Sequence, residues 1–152
     1  STDMVAYELF GPIDAALGAS ITEQVLVIEA VLLGLVVLNI ASRALAHRRH
    51  LSQAESGDSD ALTRHPFHVF TNVALLLGSF YFLTIQVHAG MVTAVIAIFI
   101  LLTDLFEFES RKVEVRREID VEPPKAAIGA SVLALLYVGY VTFFYGPIAQ
   151  FL

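Results

Sequence analysis

The chain has 152 residues, of which 57% are hydrophobic and 16% are charged, and it contains no cysteine. This balance is more apolar and less charged than that of a soluble domain, and it indicates a membrane protein. The missing cysteines exclude disulfides and thiolate chemistry, and the net charge of −6 argues against a nucleic-acid partner.

The region before the first apolar segment, residues 1–20, lacks the basic start and long apolar core of a cleaved signal peptide. It predicts a short amphipathic segment that lies along the outer surface of the membrane. Residues 20–23 have the sequence SITE, which is typical of a capping box and predicts the start of the first helix.

Four apolar segments each approach the roughly 20 residues that a helix needs to cross a bilayer. They predict membrane-spanning helices near residues 21–45, 67–88, 90–109 and 125–145. Pro66 opens the second segment, and two prolines precede the fourth, where the missing N–H has no cost. The predicted fold is an all-α, up-down antiparallel bundle of four transmembrane helices, formed by residues 21–152.

The basic residues predict the orientation of this bundle. All nine lie in or beside the first and third connections, and none lies near the second connection or the ends of the chain. By the positive-inside rule, both basic loops are cytoplasmic and both termini are outside. The residues are Arg43, Arg48, Arg49, Arg64, Arg111, Lys112, Arg116, Arg117 and Lys125.

A carboxylate interrupts the third segment at Asp104. If the helix starts near residue 90, Asp104 lies roughly 21 Å along it and within the hydrocarbon. A charge at that depth costs about 2.5–3.5 kcal/mol, so Asp104 should face protein. Antiparallel packing predicts an inner polar layer of Asn39, Thr71, Asn72, Asp104 and Glu107, with either a structural or a functional role. Glu107 also precedes Arg111 by four residues, which favours an interfacial ion pair.

A second polar layer is predicted toward the outer face. Glu29 lies near the outer end of the first helix, while Gln86 and His88 end the second. A contact between Glu29 and His88 or Gln86 would be a candidate proton relay. A single donor that satisfies an inward-facing Glu29 is the simpler interpretation.

Four histidines form two pairs with i, i+3 spacing: His47 with His50, and His65 with His68. With Asp104 or Glu107 they would supply the imidazole and carboxylate ligands that zinc or iron accepts. No H-E-x-x-H sequence accompanies them, so phosphate headgroups and loop carbonyls are the expected partners, with metal binding as an alternative. His88 lies at the opposite end, so it cannot pair with any of these four across one haem. Haem ligation by the four alone is an unsupported alternative, and no cofactor is predicted.

The sequence also lacks the G-x-S-x-G, P-loop and G-x-G-x-x-G patterns, and we do not expect an enzyme. Small residues repeat at four-residue spacing in the first and fourth helices, which favours close helix packing. They are Ala30 and Gly34 in the first helix and Ala126, Ala130 and Ala134 in the fourth.

Read in order, RHPFHV, GSFYF, HAGMV, DLFEFESRKVEVRRE and EPPKAA resemble a family of small multi-helix membrane proteins from halophilic archaea, over about residues 37–127. The resemblance implies an archaeal cell membrane and supplies no catalytic residue or cofactor, because the family is of unknown function. The acidic, lysine-poor composition agrees with life in high salt.

Three functions remain in view. The first is an accessory or scaffolding subunit of a larger respiratory or transport complex, with the bilayer and other membrane subunits, or further copies of the chain, as partners. The second is a proton or cation channel or transporter component that uses the intramembrane carboxylates. The third is a membrane protein that binds metal through the paired histidines.

Overall fold

The computed structural model describes residues 16, 19 and 26–144. Helix α1 covers Val27–Ala54, α2 covers Pro66–Ile85, α3 covers Val87–Arg116 and α4 covers Lys125–Gly139, followed by a π-helical turn at Tyr140–Phe144. A short 3-10 turn at Ser59–Ala61 lies between α1 and α2. The described part of the chain is therefore all-helical, as predicted.

The surface of the bundle matches the hydrocarbon of a membrane. Within the described residues, four helices are long and apolar enough to cross one, with the π-helical turn counted as part of the fourth. Large apolar side chains cover the outside, and Phe70, Leu77, Phe99 and Phe106 are each more than half exposed. Soluble monomers rarely expose so much apolar surface. The prediction of four helices able to span a membrane is confirmed for this part of the chain.

Two helices extend past their predicted ends. α1 ends at Ala54 instead of near residue 45, and α3 ends at Arg116 instead of near residue 109. These extensions are helical because they still bury side chains: Ala46 and His50 of α1 are buried, and Val115 of α3 packs with Leu62 from the first connection. At 30 residues, α3 is roughly 45 Å long and exceeds the ~30 Å hydrocarbon layer.

The connection between α2 and α3 is tighter than predicted. Gln86 is both the C-cap residue of α2 and the N-cap residue of α3. Gly90 then lies in the first turns of α3, where an added Cβ would be 2.3 Å from backbone atoms of Leu83. Only glycine permits this approach, so Gly90 sets how closely α2 and α3 pack.

The beginning of α1 also differs from the prediction. The helix starts at Val27 rather than near residue 21, because Leu26 has an extended backbone and donates its N–H to the Glu29 carboxylate at 3.2 Å. The capping box predicted for residues 20–23 lies outside the described residues. So does most of the amphipathic segment predicted for residues 1–20, of which the structure describes only residues 16 and 19.

The helices pack in a ring: α1 contacts α2 and α4, and α3 contacts the same two helices. Most of the core between them is apolar, with Leu32, Val36, Leu75, Phe82 and Ile100 at its centre. Toward the C-terminal ends of α1 and α3 the core becomes more polar, and Asn39, Ser42 and Arg43 are buried there. This change of character places the candidate site at one end of the bundle.

Candidate functional site

Polar side chains from all the helices form one hydrogen-bonded group, which we call the inner polar cluster. Its members are Asn39, Ser42 and Arg43 from α1, His68, Thr71 and Asn72 from α2, Asp104 from α3 and Ser131 from α4. The members on α1 and on α2 share i, i+3, i+4 spacing, counted from Asn39 and from His68. That spacing puts each set on one helical face.

Asp104 is the centre of this cluster. Its Oδ1 accepts a hydrogen bond from Arg43 Nε at 3.0 Å, and its Oδ2 accepts one from Arg43 Nη2 at 2.7 Å. His68 Nε2 at 3.0 Å and Asn72 Nδ2 at 2.9 Å also reach Oδ2. The side chains of Arg43 and Asp104 are only 3% and 12% exposed. This is a buried, two-pronged ion pair of the kind that fixes helix orientation.

Arg43 also connects α1 to α4. Its Nη1 donates to the hydroxyl of Ser131, which itself donates to the Ala127 carbonyl at 2.7 Å. Its Nη2 donates to Asn39 Oδ1 at 2.9 Å. Arg43 was predicted to flank the first connection, but it lies inside the bundle, because α1 continues to Ala54.

The imidazole of His68 lies between a carboxylate and a hydroxyl. Nε2 donates to Asp104, because a carboxylate only accepts, and Nδ1 lies 2.7 Å from Ser42 Oγ. Ser42 also contacts Thr71 Oγ1 at 2.9 Å and the Asn39 carbonyl at 3.0 Å. A serine hydroxyl is both donor and acceptor, so Ser42 can either donate a hydrogen bond to His68 Nδ1 or accept one from it.

The cluster is satisfied internally. Within the described residues, none of its buried side-chain nitrogen or oxygen atoms lacks a hydrogen-bond partner. The charge of Asp104 is balanced by Arg43. A fully satisfied buried network gives rigidity, whereas a partly satisfied one would be costly.

The chain matches the sequence profile described as a domain of unknown function (DUF7313) over residues 5–150. It belongs to the DUF7313 family. No curated protein and no solved structure matches it. Family membership agrees with the resemblance to a family of unknown function and assigns no chemistry to the cluster.

The DUF7313 bundle brings together Asn39, Thr71, Asn72 and Asp104 from the predicted inner layer. Glu107 lies outside the hydrogen-bonded cluster. Its carboxylate accepts the Ala127 N–H at 2.8 Å and so caps α4, where free backbone donors and the helix dipole favour a negative charge.

The predicted ion pair between Glu107 and Arg111 is absent from the described ion pairs. Arg111 instead donates from Nη1 to His50 Nδ1 at 3.1 Å. The expectation failed because α3 presents Glu107 to the start of α4 and Arg111 to α1.

The predicted outer layer does not form among the described residues. Glu29 is 2% exposed and turns back to cap its own helix at Leu26, which leaves its Oε2 without a partner in this part of the chain. Gln86 occupies the connection between α2 and α3, and His88 is exposed. The late start of α1 explains the difference, since it puts Glu29 in the first helical turn.

The paired histidines have separate surroundings. His50 Nε2 bonds to the Thr63 carbonyl at 2.9 Å, whereas His47 Nδ1 has no partner in the described residues. His65 caps α2 by accepting the His68 N–H at 3.4 Å. In the described ranges, no three histidine, aspartate or glutamate side chains come together in a way that could hold a metal ion.

The predicted packing residues divide between the core and the surface. Ala130 and Ala134 are buried, Ala30 is half-buried, and Gly34 and Ala126 are exposed. Ala127, which is 0% exposed, is buried beside Ala130 and Ala134 in place of Ala126. The inward face of α4 thus follows i, i+3, i+4, i+7 spacing from Ala127 and includes Ser131, which accepts a hydrogen bond from Arg43.

A cavity of about 90 Å³ lies beside the cluster, between α1, α2 and α3. Arg64, Arg111, His50 and His65 line it together with members of the cluster. Sequence reasoning missed Ser42, Arg43, Ser131 and Arg111 as interior groups. The i, i+3, i+4 pattern from Asn39 to Arg43 was a signal that could have found Ser42 and Arg43.

Proposed function

We propose that this DUF7313 protein is an accessory or scaffolding subunit of a larger membrane complex, respiratory or transport, in the cell membrane of a halophilic archaeon. The observation that carries the proposal is the internal satisfaction of the inner polar cluster. Its carboxylate, guanidinium and amide groups all bind one another. The cluster therefore acts as an internal brace, and contacts with partner subunits fall to the outer faces of the helices.

The proposed topology is an up-down antiparallel bundle with both basic loops cytoplasmic and both termini outside. Later positions of α1 contact earlier positions of α2: Asn39 bonds to Asn72, and His50 bonds to Thr63 just before α2. The inner polar cluster then lies toward the cytoplasmic face, close to the basic loops. The positive-inside rule supports this orientation.

A path for protons or cations through a single chain has less support than a scaffolding role. Arg43 lies 14 positions after Glu29, roughly 21 Å along α1, and the buried core between these levels is built from Leu32, Val36 and Ile100. Polar residues at intermediate levels are satisfied locally: Ser79 donates to the Leu75 carbonyl. An apolar middle favours a scaffold over a proton or cation path. The metal-binding alternative lacks a converging ligand set in the described residues.

The outer face of α1 offers a surface for a partner. Gly34 is exposed, and a Cβ added there would meet nothing within 4 Å. A glycine on a lipid-facing surface lets another helix approach closely. A second glycine, Gly129 on α4, is equally open and supplies a matched control.

The test is the native mass of the protein, extracted in a gentle detergent at high salt, with identification of the proteins that copurify. We expect a large assembly with recurrent partners in near-stoichiometric amounts. Replacing Gly34→Leu should reduce that association while the helix content stays unchanged, and Gly129→Leu should leave the association intact.

A lone monomer, or an oligomer of this chain alone, would overturn the subunit proposal. In that case proton or ion flux in vesicles would become the next measurement. Asp104→Asn would be the variant of choice, because Asp104 is the central acceptor of the cluster.

A further inference from the structure

The cavity beside the inner polar cluster has a positive lining that the cluster does not neutralise. Asp104 is the one carboxylate on its described wall, and its two oxygens already bind Arg43. Arg64 and Arg111 also line the cavity. Two guanidinium charges therefore line a cavity in which the one described carboxylate, Asp104, already pairs with Arg43.

Of the two arginines, Arg111 gives the stronger evidence for a bound anion. It is 6% exposed, and no carboxylate oxygen lies within ion-pair distance of it in the described residues. Of its five N–H donors, one is used by His50, and Nε has no partner in this part of the chain. The carboxylates of Asp104, Glu107 and Glu114 act on it only from a longer distance. A buried charge is normally paired because leaving it unpaired is costly.

His50 positions the Arg111 guanidinium. The Thr63 carbonyl can only accept, so His50 Nε2 donates to it at 2.9 Å. Nδ1 is then the lone-pair nitrogen and accepts from Arg111 Nη1 at 3.1 Å. A neutral histidine, held by the backbone of the first connection, thus orients Arg111 without cancelling its charge.

Arg64 is held at the rim by an aromatic ring. Its guanidinium carbon lies 4.2 Å from the centre of the Phe108 ring, a cation–π contact. The carboxylate of Glu109 is 3.6 Å away, but that side chain is 60% exposed, and such surface pairs are weak. Arg64 therefore remains available to a ligand with better geometry.

The start of α2 adds to the positive potential. His65, the N-cap of this helix, lines the cavity, and the helix runs 20 residues from Pro66. The N-terminus of a helix carries a partial positive charge and attracts phosphate-like groups. Its field acts together with the two arginines.

We propose that this cavity is a binding site for a phosphate-type oxoanion, held by Arg111 and Arg64. Guanidinium groups match the oxygens of phosphate in pairs. The volume of about 90 Å³ is several times the roughly 10–15 Å³ that one water requires. The proposal does not depend on the protein being a subunit of a larger complex.

The apolar part of the lining suits either a free anion or a lipid headgroup. Val69 of α2 and Leu105 of α3 line the cavity and are 39% and 38% exposed on the outside of the bundle. A headgroup phosphate that entered between these helices would leave its acyl chains against an apolar surface. Inorganic phosphate would need only the arginine end of the cavity.

The experiment measures the midpoint of thermal unfolding of the full chain in a phosphate-free, non-ionic detergent. One arm adds inorganic phosphate at constant ionic strength, with chloride as the balancing anion. The other arm adds phosphatidylglycerol, with a phosphate-free diacylglycerol as its control. We expect a saturable rise in at least one arm. A rise with inorganic phosphate identifies a free anion as sufficient, and a rise with the phospholipid alone identifies the headgroup as the source.

Variants separate the site from general charge effects. Arg111→Gln should weaken the apparent affinity about tenfold or more, because a hydrogen bond to a charged group is worth about 1.5–3 kcal/mol. Arg64→Gln removes a rim charge from a side chain that is 41% exposed, so it tests the site even if Arg111→Gln does not fold. Arg48→Gln, at an exposed arginine that is not part of the cavity wall, should bind like the original chain.

Two results would overturn the proposal. One is the absence of a saturable rise with both phosphate and phospholipid. The other is an unchanged affinity in both Arg64→Gln and Arg111→Gln or, where Arg111→Gln does not fold, in Arg64→Gln by itself.

Discussion

Replacing Asp104→Asn is the sharpest test of the inner polar cluster. The substitution keeps the size of the side chain but removes the charge that pairs with Arg43, whose side chain is 3% exposed. It affects hydrogen bonds from Arg43, His68 and Asn72 to the carboxylate. At the membrane average of about 0.6 kcal/mol per bond, four bonds would account for roughly 2.4 kcal/mol. Leaving a buried partner charge unpaired raises the expected loss to about 3–5 kcal/mol.

The assay is the free energy of unfolding in detergent micelles or bicelles, measured for a double-mutant cycle. Arg43→Met alone should be similarly damaging, and the double variant should be less destabilised than the sum of the two by about 1–3 kcal/mol. Glu109→Gln is the control: Glu109 is 60% exposed, and its loss should cost at most about 1 kcal/mol. If Asp104→Asn costs no more than Glu109→Gln, or if the two cluster substitutions simply add, the cluster does not brace the bundle.

Two further predictions concern close packing and use the same unfolding assay. Gly90→Ala should destabilise the fold by about 1–3 kcal/mol, because the new Cβ would collide with the Leu83 backbone, whereas Gly34→Ala meets nothing and should not destabilise it. An equal effect at the two glycines would contradict the close approach of α2 and α3. Ala127→Leu should cost a similar 1–3 kcal/mol, because Ala127 is 0% exposed, and Ala126→Leu should be nearly neutral. The reverse order would contradict the inward position of Ala127 in α4.

The level of Asp104 along the bundle relative to Asn39 and Asn72 was predictable, because it follows from counting residues along antiparallel helices. Helical rise gives each position along its helix, and the short connections fix which helices run side by side. The membership of Asn39 and Asn72 in one layer came from the same arithmetic. None of it requires knowing how any helix is rotated about its axis.

The sequence left undecided how each helix is rotated about its own axis. In a soluble protein, the apolar face of an amphipathic helix shows which side is buried. These helices are apolar on every side, so their sequences do not show which face is directed inward. For this reason Ala126 and Ala127 were indistinguishable, and the sequence left open whether Gly34 packs against a helix of the same bundle or of another subunit. The extended conformation of Leu26 had no clear signal either, and it decides that Glu29 caps its own helix.

The sequence by itself determined the number of candidate spans, their approximate positions and the level of the polar groups along the helices, because hydropathy and helical rise act along one chain segment at a time. Only the tertiary structure decided which partners those groups have. Arg43 and Asp104 are 61 positions apart, and their pairing depends on the rotation of two helices and on the continuation of α1 past its apolar segment. The same packing turns Arg111 toward His50 and surrounds the cavity with arginines, since side chains that are remote in sequence share a surface only once the bundle has closed.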